Sequence, residues 1–260
     1  MKIVLGNSIG AVNTLLNMCP NSFSYVPLKF YKDDDGTNYA SIETIDVNGD
    51  VVFSGKVQID ETGLEAGSGM VVKLPLNRTV INTIFGGKFT NVVIEKTHIL
   101  ASTESKKLSF ALFQMNNNDV LEFPTNNKEL LQMAVESNNL KSCSFAEISL
   151  NKETIKDFID CASIISNIET LSVEVVGQNI NVTGIDNAGG NSFEYTFSPV
   201  NIEADKDFTC KFDYNLIDVL SKVSKIANDN EVSCIFSEIL AIFYIKNDNL
   251  EVSLAVTAQR

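Results

Sequence analysis

Residues 212–238 read FDYNLIDVLSKVSKIANDNEVSCIFSE. From Asn215 to Ile226, apolar side chains recur at Leu216, Val219, Leu220, Val223 and Ile226, the stripe of an amphipathic helix. At about 100° per residue, Asp218, Ser221, Lys222 and Lys225 share the opposite side. Two lysines are therefore expected together on one exposed face. The surrounding chain is acidic, with 20 Lys+Arg against 33 Asp+Glu and a formal net charge of -13. Taken alone, the pair is a solvated helix face whose late lysines suit the helix dipole. Its meaning depends on whether the pattern recurs.

It does recur. The strand-like FTCKF, with Phe208, Cys210 and Phe212 on one side, precedes this helix. The stretches EVSCIFSE, LAIFYIKN and LEVSLAVTA follow it, separated by turn-forming Asn and Asp residues such as KNDN. Upstream, CSFAEISL leads into NKETIKDFIDCASII, where Ile155, Phe158, Ile159, Ala162 and Ile165 recur at helical spacing. Then ETLSVEVVG alternates Leu171, Val173 and Val175 with Ser172 and Glu174, the period of a half-buried strand. NINVTGID and SFEYTFSPV complete a second group of three strands. The C-terminal half thus reads strand, helix, three strands, twice over.

The N-terminal half takes the same layout. MKIVL leads into SIGAVNTLLNMC, with Ile9, Val12, Leu15, Leu16 and Cys19 on one stripe, then FSYVPLKFY, YASIETIDV and VVFSGKVQI. MVVKLPL leads into the short helix NRTVINTIF, then TNVVIEK, HILAS and LSFALFQM. Four similar units make an internal repeat. Between the halves, NNNDVLEFPTNNKELLQMAVESNN is polar, contains Pro124 and fits neither period. The expected organisation is an N-terminal domain over 1–116, a connector over 117–138 and a C-terminal domain over 139–260. Within the connector, Lys128–Val135 admits a short helix and VLEFP an extra strand.

Several function classes find no support. No apolar run approaches the roughly 20 residues that span a bilayer. Asn7, Asn13 and Asn17 interrupt the N-terminal stretch, which reads as structure rather than a signal peptide. Cys19, Cys143, Cys161, Cys210 and Cys234 are scattered and mostly sit in apolar patterns, as buried free thiols of a reducing compartment do. His98, the only histidine, reads as a plain strand residue. GNSIG lacks the second glycine of a dinucleotide fingerprint, since Ser8 stands there, and has no phosphate-loop lysine. NAGGN is a turn. KDDDGTNY lacks the spaced ligands and closing glutamate of a calcium loop and reads as a hairpin loop. No group of residues suggests nucleophilic or acid–base chemistry, so neither enzyme activity, cofactor nor metal is expected. An acidic total argues against a general nucleic-acid binder, but local charge decides contact.

The other helix faces are polar and mixed. The first exposes Asn13, Thr14 and Asn17; the second places Arg78 beside Asn82. The third sets Lys152 and Lys156 beside Glu153, Asp157 and Asp160. Together they suggest a surface less acidic than the rest.

Four strand-helix-three-strand units in two halves resemble a DNA sliding clamp, of the proliferating cell nuclear antigen and phage polymerase accessory clamp type. The resemblance is most specific over 139–260. There ISLNKETIKDFIDCASII, followed by LSVEVVGQNINVTGID, is similar to the unit in which a helix precedes an alternating hairpin. The stretch from CKFDYNLIDVLSKVSKI to Ser253-Leu254-Ala255-Val256 is similar to the last unit of such clamps.

The resemblance implies an α+β clamp fold: two similar domains, antiparallel sheets outside and four helices on one face. It further implies a head-to-tail homotrimeric ring around duplex DNA, a DNA polymerase tethered for processive synthesis, and an ATP-dependent clamp loader. By position, the DNA-facing candidates are Arg78, Lys152, Lys156, Lys222 and Lys225. The partner-peptide groove would lie at Val120, Leu121 and Phe123 with Leu254, Ala255 and Val256. The expected location is the cytoplasm, that of the host if the protein is phage-encoded, and abundant Asn and Lys fit an AT-rich phage or viral genome. The competing readings are a structural β-sandwich virion or tail protein, a monomeric clamp-like processivity factor, and an enzyme with a ligand between its domains.

Overall fold

Alternating strands and amphipathic helices leave one apolar face each, and these faces build two cores. The computed structural model describes residues 2–60, 64–65, 68–113, 115, 121–124, 126–186, 188, 190–197, 201–204, 206–227 and 232–259. Contacts divide the chain into two units. The first comprises Met1–Ile45, Phe53–Phe123 and Asp248–Glu251; the second comprises Asp46–Val52, Pro124–Asn247 and Val252–Arg260.

The first unit runs β1 (Lys2–Val4), a 3-10 turn (Gly6–Ser8), α1 (Ile9–Met18), β2 (Tyr25–Lys32), β3 (Asn38–Ile45) and β4 (Val51–Ile59). It continues through β5 (Gly69–Pro75), α2 (Arg78–Ile84), β6 (Asn91–Glu95), β7 (His98–Ser102) and β8 (Lys107–Ala111). One antiparallel sheet has the order β1-β6-β7-β8, and another stretch of sheet runs β4-β3-β2-β5. Helices α1 and α2 pack together and bury Val12, Leu15, Leu16, Ile81 and Ile84. The approach of α1 to β4 is close: a Cβ on Gly55 would stand 2.9 Å from Leu15 Cδ1. The GNSIG turn is structural, with Gly6 at φ +47° and the buried Ser8 Oγ accepting from Asp60 N–H at 2.7 Å. The KDDDG loop closes a hairpin through Asp33 N–H to Thr37 O at 2.8 Å.

The second unit contains α3 (Asn127–Ser137), β9 (Phe145–Leu150), α4 (Lys152–Ser163), β10 (Ile168–Val176), β11 (Asn179–Asp186) and β12 (Ser192–Phe197). There follow β13 (Asn201–Ala204), β14 (Phe208–Asp213), α5 (Asn215–Ser224), β15 (Val232–Ser237), β16 (Leu240–Lys246) and β17 (Leu250–Thr257). Its sheets have the orders β12-β11-β10-β14 and β13-β9-β15-β16-β17. Asn151 caps α4 by accepting from Thr154 N–H at 2.8 Å. Phe158 of α4 meets Phe193, Tyr195 and Phe197 of β12, and the cluster continues through Phe236 to Phe212 and Phe243.

The connector stretch carries α3, capped by Asn126 and longer than the Lys128–Val135 segment expected. Leu121–Pro124 of VLEFP forms no strand. Helix α3 packs against β16 and reaches β15 and β9 on the sheet face that carries Ser233 and Glu147. There Asn127 Nδ2 donates to Ser233 O and Oγ, and Lys128 pairs with Glu147 at 2.9 Å. With both faces covered, β15 and β16 are buried almost throughout rather than alternating.

Candidate nucleic-acid interface

The expected DNA-facing side chains come from α2, α4 and α5, and the structure separates them. Lys152 and Lys156 are exposed on α4, and Lys225 is exposed at the C-cap of α5. Because α4 and α5 pack against each other, all three belong to the same helical pair of the second unit. They share that surface with the exposed carboxylates Glu153, Asp157 and Asp160.

Two of the five expected cations are not on a free face. Lys222 is only 8% exposed. It lies one turn from both Val219 and Ile226, at the border of the buried stripe, so its aliphatic stem goes down with theirs. Arg78 turns back onto the end of α1. Its Nη1 donates to Leu16 O at 2.9 Å and to Asn17 Oδ1 at 3.5 Å; its Nη2 donates to Cys19 O and to Asn21 Oδ1 at 3.3 Å. A helix C-terminus leaves carbonyls without intrahelical donors, and a guanidinium satisfies several while complementing the dipole. Arg78 is therefore a helix-capping residue. On α1, Asn17 Nδ2 donates to Asn13 Oδ1 at 3.0 Å and Thr14 Oγ1 to Gly10 O at 3.0 Å, so these polar groups are partly occupied locally.

The expected partner groove also changes. Val120 lies outside the described residues. Leu121 is 48% exposed and Phe123 half-buried in the first unit, where Glu122 pairs with Lys29 at 3.8 Å and Phe123 N–H donates to Glu43 Oε2 at 3.4 Å. Burial is the main cause that raises the Glu43 carboxyl above the usual glutamate range, offset in part by Lys29. Beside it Tyr31 stacks on Tyr39 at 5.6 Å, and burial first, then Asp33 and Glu43, pushes the Tyr31 phenol up to about 12. Leu254, Ala255 and Val256 are core residues of the second unit, exposed by no more than 3%. Their strand sits in a sheet with apolar side chains on both faces, so they line no open groove.

An open cleft does lie just beyond them, at the tail Thr257–Gln259. Its cavity of 580 Å³ is lined by Asn48, Gly49, Asp50, Asn138, Glu238, Ile239, Thr257, Ala258 and Gln259. These residues come from the β3–β4 turn, the end of α3, the β15–β16 turn and the tail. No sequence window contains more than one of these walls, which is why periodicity did not find the cleft. Among the described residues, no group of three or more His, Cys, Asp or Glu side chains is placed to hold a metal ion, and no helix is long and apolar enough to cross a membrane.

No family model matches the chain, and no curated protein matches it. Solved structures do. Proliferating cellular nuclear antigen from Entamoeba histolytica is 13% identical, with a TM-score of 0.63 over 100% of this chain and 98% of that one. PCNA from Thermococcus kodakaraensis is 13% identical, with a TM-score of 0.66 over 99% of each chain. The PCNA2–PCNA3 complex from Sulfolobus tokodaii gives 13% identity and a TM-score of 0.64 over 100% of this chain and 99% of the matched one. The chain has the DNA sliding clamp fold, α+β with antiparallel sheets and short helices, along its whole length.

Proposed function

We propose that this protein is a replication clamp that encircles duplex DNA and tethers a DNA polymerase for processive synthesis. The observation that carries this reading is the match to PCNA structures over 99–100% of the chain, which leaves no part of the sequence for another architecture. Clamps of this kind are non-enzymatic scaffolds.

Ring closure has a physical opening in the sheets. Strands β8 and β12 each end a sheet, with β7 and β11 as their only ladder neighbours among the described residues. Unpaired strand edges attract partners, and a head-to-tail contact that closes on itself makes a ring. Pairing β8 of one copy with β12 of the next satisfies both edges, and three copies give the homotrimer. In that ring Lys152, Lys156 and Lys225 meet phosphates loosely, without reading sequence. The neighbouring carboxylates keep the contacts weak enough for sliding. A clamp loader opens the ring, and clients dock at the cleft beside the C-terminal tail.

The test is retention on nicked circular DNA followed by linearisation. The expected result is a protein that elutes as a closed oligomer, stays on the circle, runs off once the circle is cut, and stimulates a cognate polymerase. A monomer that dissociates equally from circular and linear DNA would refute the ring.

A further inference from the structure

Strands β1, β6 and β7 turn Ile3, Val92, Ile94, Ile99 and Ala101 into the core. Alternation sends the intervening side chains to the opposite face, where polar residues are expected. Three of them are aliphatic. Val4 stands opposite Val93, Val93 opposite Leu100, and Leu100 opposite Ser109. One aliphatic row therefore crosses three strands in register. Val4 is 50% exposed, Leu100 38%, and Val93 half-buried between them. Scattered apolar side chains on a surface are ordinary, whereas contiguous ones mark contact sites. A row of three suits one or two apolar anchors rather than a broad interface. The matching row of the second unit is polar: across β14, β10, β11 and β12 it reads Lys211, Ser172, Thr183 and Glu194. A four-stranded sheet of this kind thus stands without an aliphatic outer row.

Cations flank the row, although the chain carries a formal net charge of -13. Lys96 is exposed in the β6–β7 turn, and Lys106 and Lys107 are exposed where β8 begins. The turn before β8 is firmly built: Thr103 N–H donates to Lys106 O at 2.9 Å, and Thr103 Oγ1 accepts from Ser105 and Lys106 N–H at 3.3 and 3.1 Å. None of the three lysines stands in an ion pair among the described residues. Glu95 is taken by Lys2 at 2.7 Å, a hydrogen bond that holds its carboxyl below the usual glutamate range. Glu104, in the β7–β8 turn, is the other carboxylate of residues 91–111. At physiological salt the screening length is about 8 Å, so distant carboxylates fade and the local lysines set the field.

We propose that this outer face of β1-β6-β7-β8 docks an acidic segment of a partner protein that carries one or two aliphatic anchors. The anchors cover Val4, Val93 and Leu100, while carboxylates meet Lys96 and Lys107. Charge complementarity selects this occupant, since a basic segment would be repelled. Duplex DNA offers negative charge but no aliphatic group for the row. A second copy docked by the same face would set the lysines against each other. Pairing at the β8 edge runs in the plane of the sheet and leaves this face open, so docking is compatible with ring closure. The surface is separate from the tail cleft and adds a further point of attachment.

The experiment titrates a short fluorescein-labelled peptide, two leucines set among glutamates, into the full chain by fluorescence anisotropy. One twin carries glutamine for glutamate, the other serine for leucine. Leu100→Thr removes the largest member of the row, and Lys96→Gln/Lys107→Gln removes the charge. All three side chains are exposed, so each variant is expected to melt with the parent. Val176→Thr/Lys211→Gln, at exposed positions of β10 and β14, is the control. The acidic peptide is expected to bind at least about fivefold tighter than either twin, and each variant to weaken it about three- to tenfold. The control leaves it unchanged. Equal binding of either twin, unchanged binding to Leu100→Thr or to the double lysine variant, or an equal loss in the control overturns the proposal. Two further results overturn it by assigning the face elsewhere. Displacement of the peptide by short duplex DNA, with the serine twin binding undiminished, assigns it to nucleic acid. A change of oligomeric state in Leu100→Thr on size exclusion assigns it to a second copy. Retention on circular DNA is a separate measurement, so the failure of either reading leaves the other standing.

Discussion

Replacing Arg78 with alanine is expected to loosen α1 rather than weaken DNA contact. The guanidinium makes four contacts: the Leu16 and Cys19 carbonyls and the Asn17 and Asn21 side chains. A hydrogen bond from a charged donor contributes about 1.5–3 kcal/mol, and a side chain partly open to water delivers the lower part of that range. The two carbonyls dominate, because they end a helix and have no intrahelical donor. The summed cost is about 2–3 kcal/mol. At about 2–4 °C per kcal/mol for a chain near this size, Arg78→Ala melts about 4–12 °C below the parent. Arg78→Lys keeps the charge near the helix terminus but not the fork, and recovers about half. Thermal melts followed by circular dichroism read the stability, and affinity for short duplex DNA in rising salt reads the contact. If Arg78→Ala melts with the parent but leaves DNA at lower salt, the guanidinium faces phosphate and the capping argument is wrong.

Three further outcomes are expected. Lys225→Ala reduces the slope of log affinity against log salt by up to about 0.9 per lysine removed, measured on short duplex DNA, with the melting temperature unchanged. Gly184→Ala puts a Cβ 2.3 Å from Phe193 Cε1 and is expected to cost about 1–3 kcal/mol in urea unfolding. Glu43→Gln stabilises the protein near neutral pH. The native carboxyl pKa is raised by burial, so the charged form penalises folding above that pKa, and the penalty vanishes as pH falls below the ordinary glutamate value of about 4.3. Melts of both proteins across this range should converge at the acid end; a constant difference would refute the burial argument.

The sequence carried its clearest message where one face of an element is wet. In β10, Leu171, Val173 and Val175 are buried while Ser172 and Glu174 look out, as the alternation requires. Strands β15–β17 carry apolar residues on both faces, so their pattern could not say which residues reach solvent, and Leu254–Val256 were placed in a groove they do not line. Strand β13 has a single strongly apolar residue, Ile202, in four, and owes its existence to pairing with β9 across the sheet. The helical wheel gave angles but not neighbours. It put Lys222 outside although the flank beside Ile226 is covered, and it could not see that Arg78 reaches a helix end roughly sixty residues earlier.

The contact between Gly184 and Phe193 sits at a strategic place. Among the described residues strand β12 is paired on one side only, and the phase of its side chains depends on where Phe193 falls along β11. A slip of one residue would set the ring over Thr183 or Ile185, whose Cβ atoms occupy the space glycine leaves empty, and would turn every β12 side chain to the opposite face. The missing methyl thus acts as an alignment notch. It fixes the offset of that border within its own sheet.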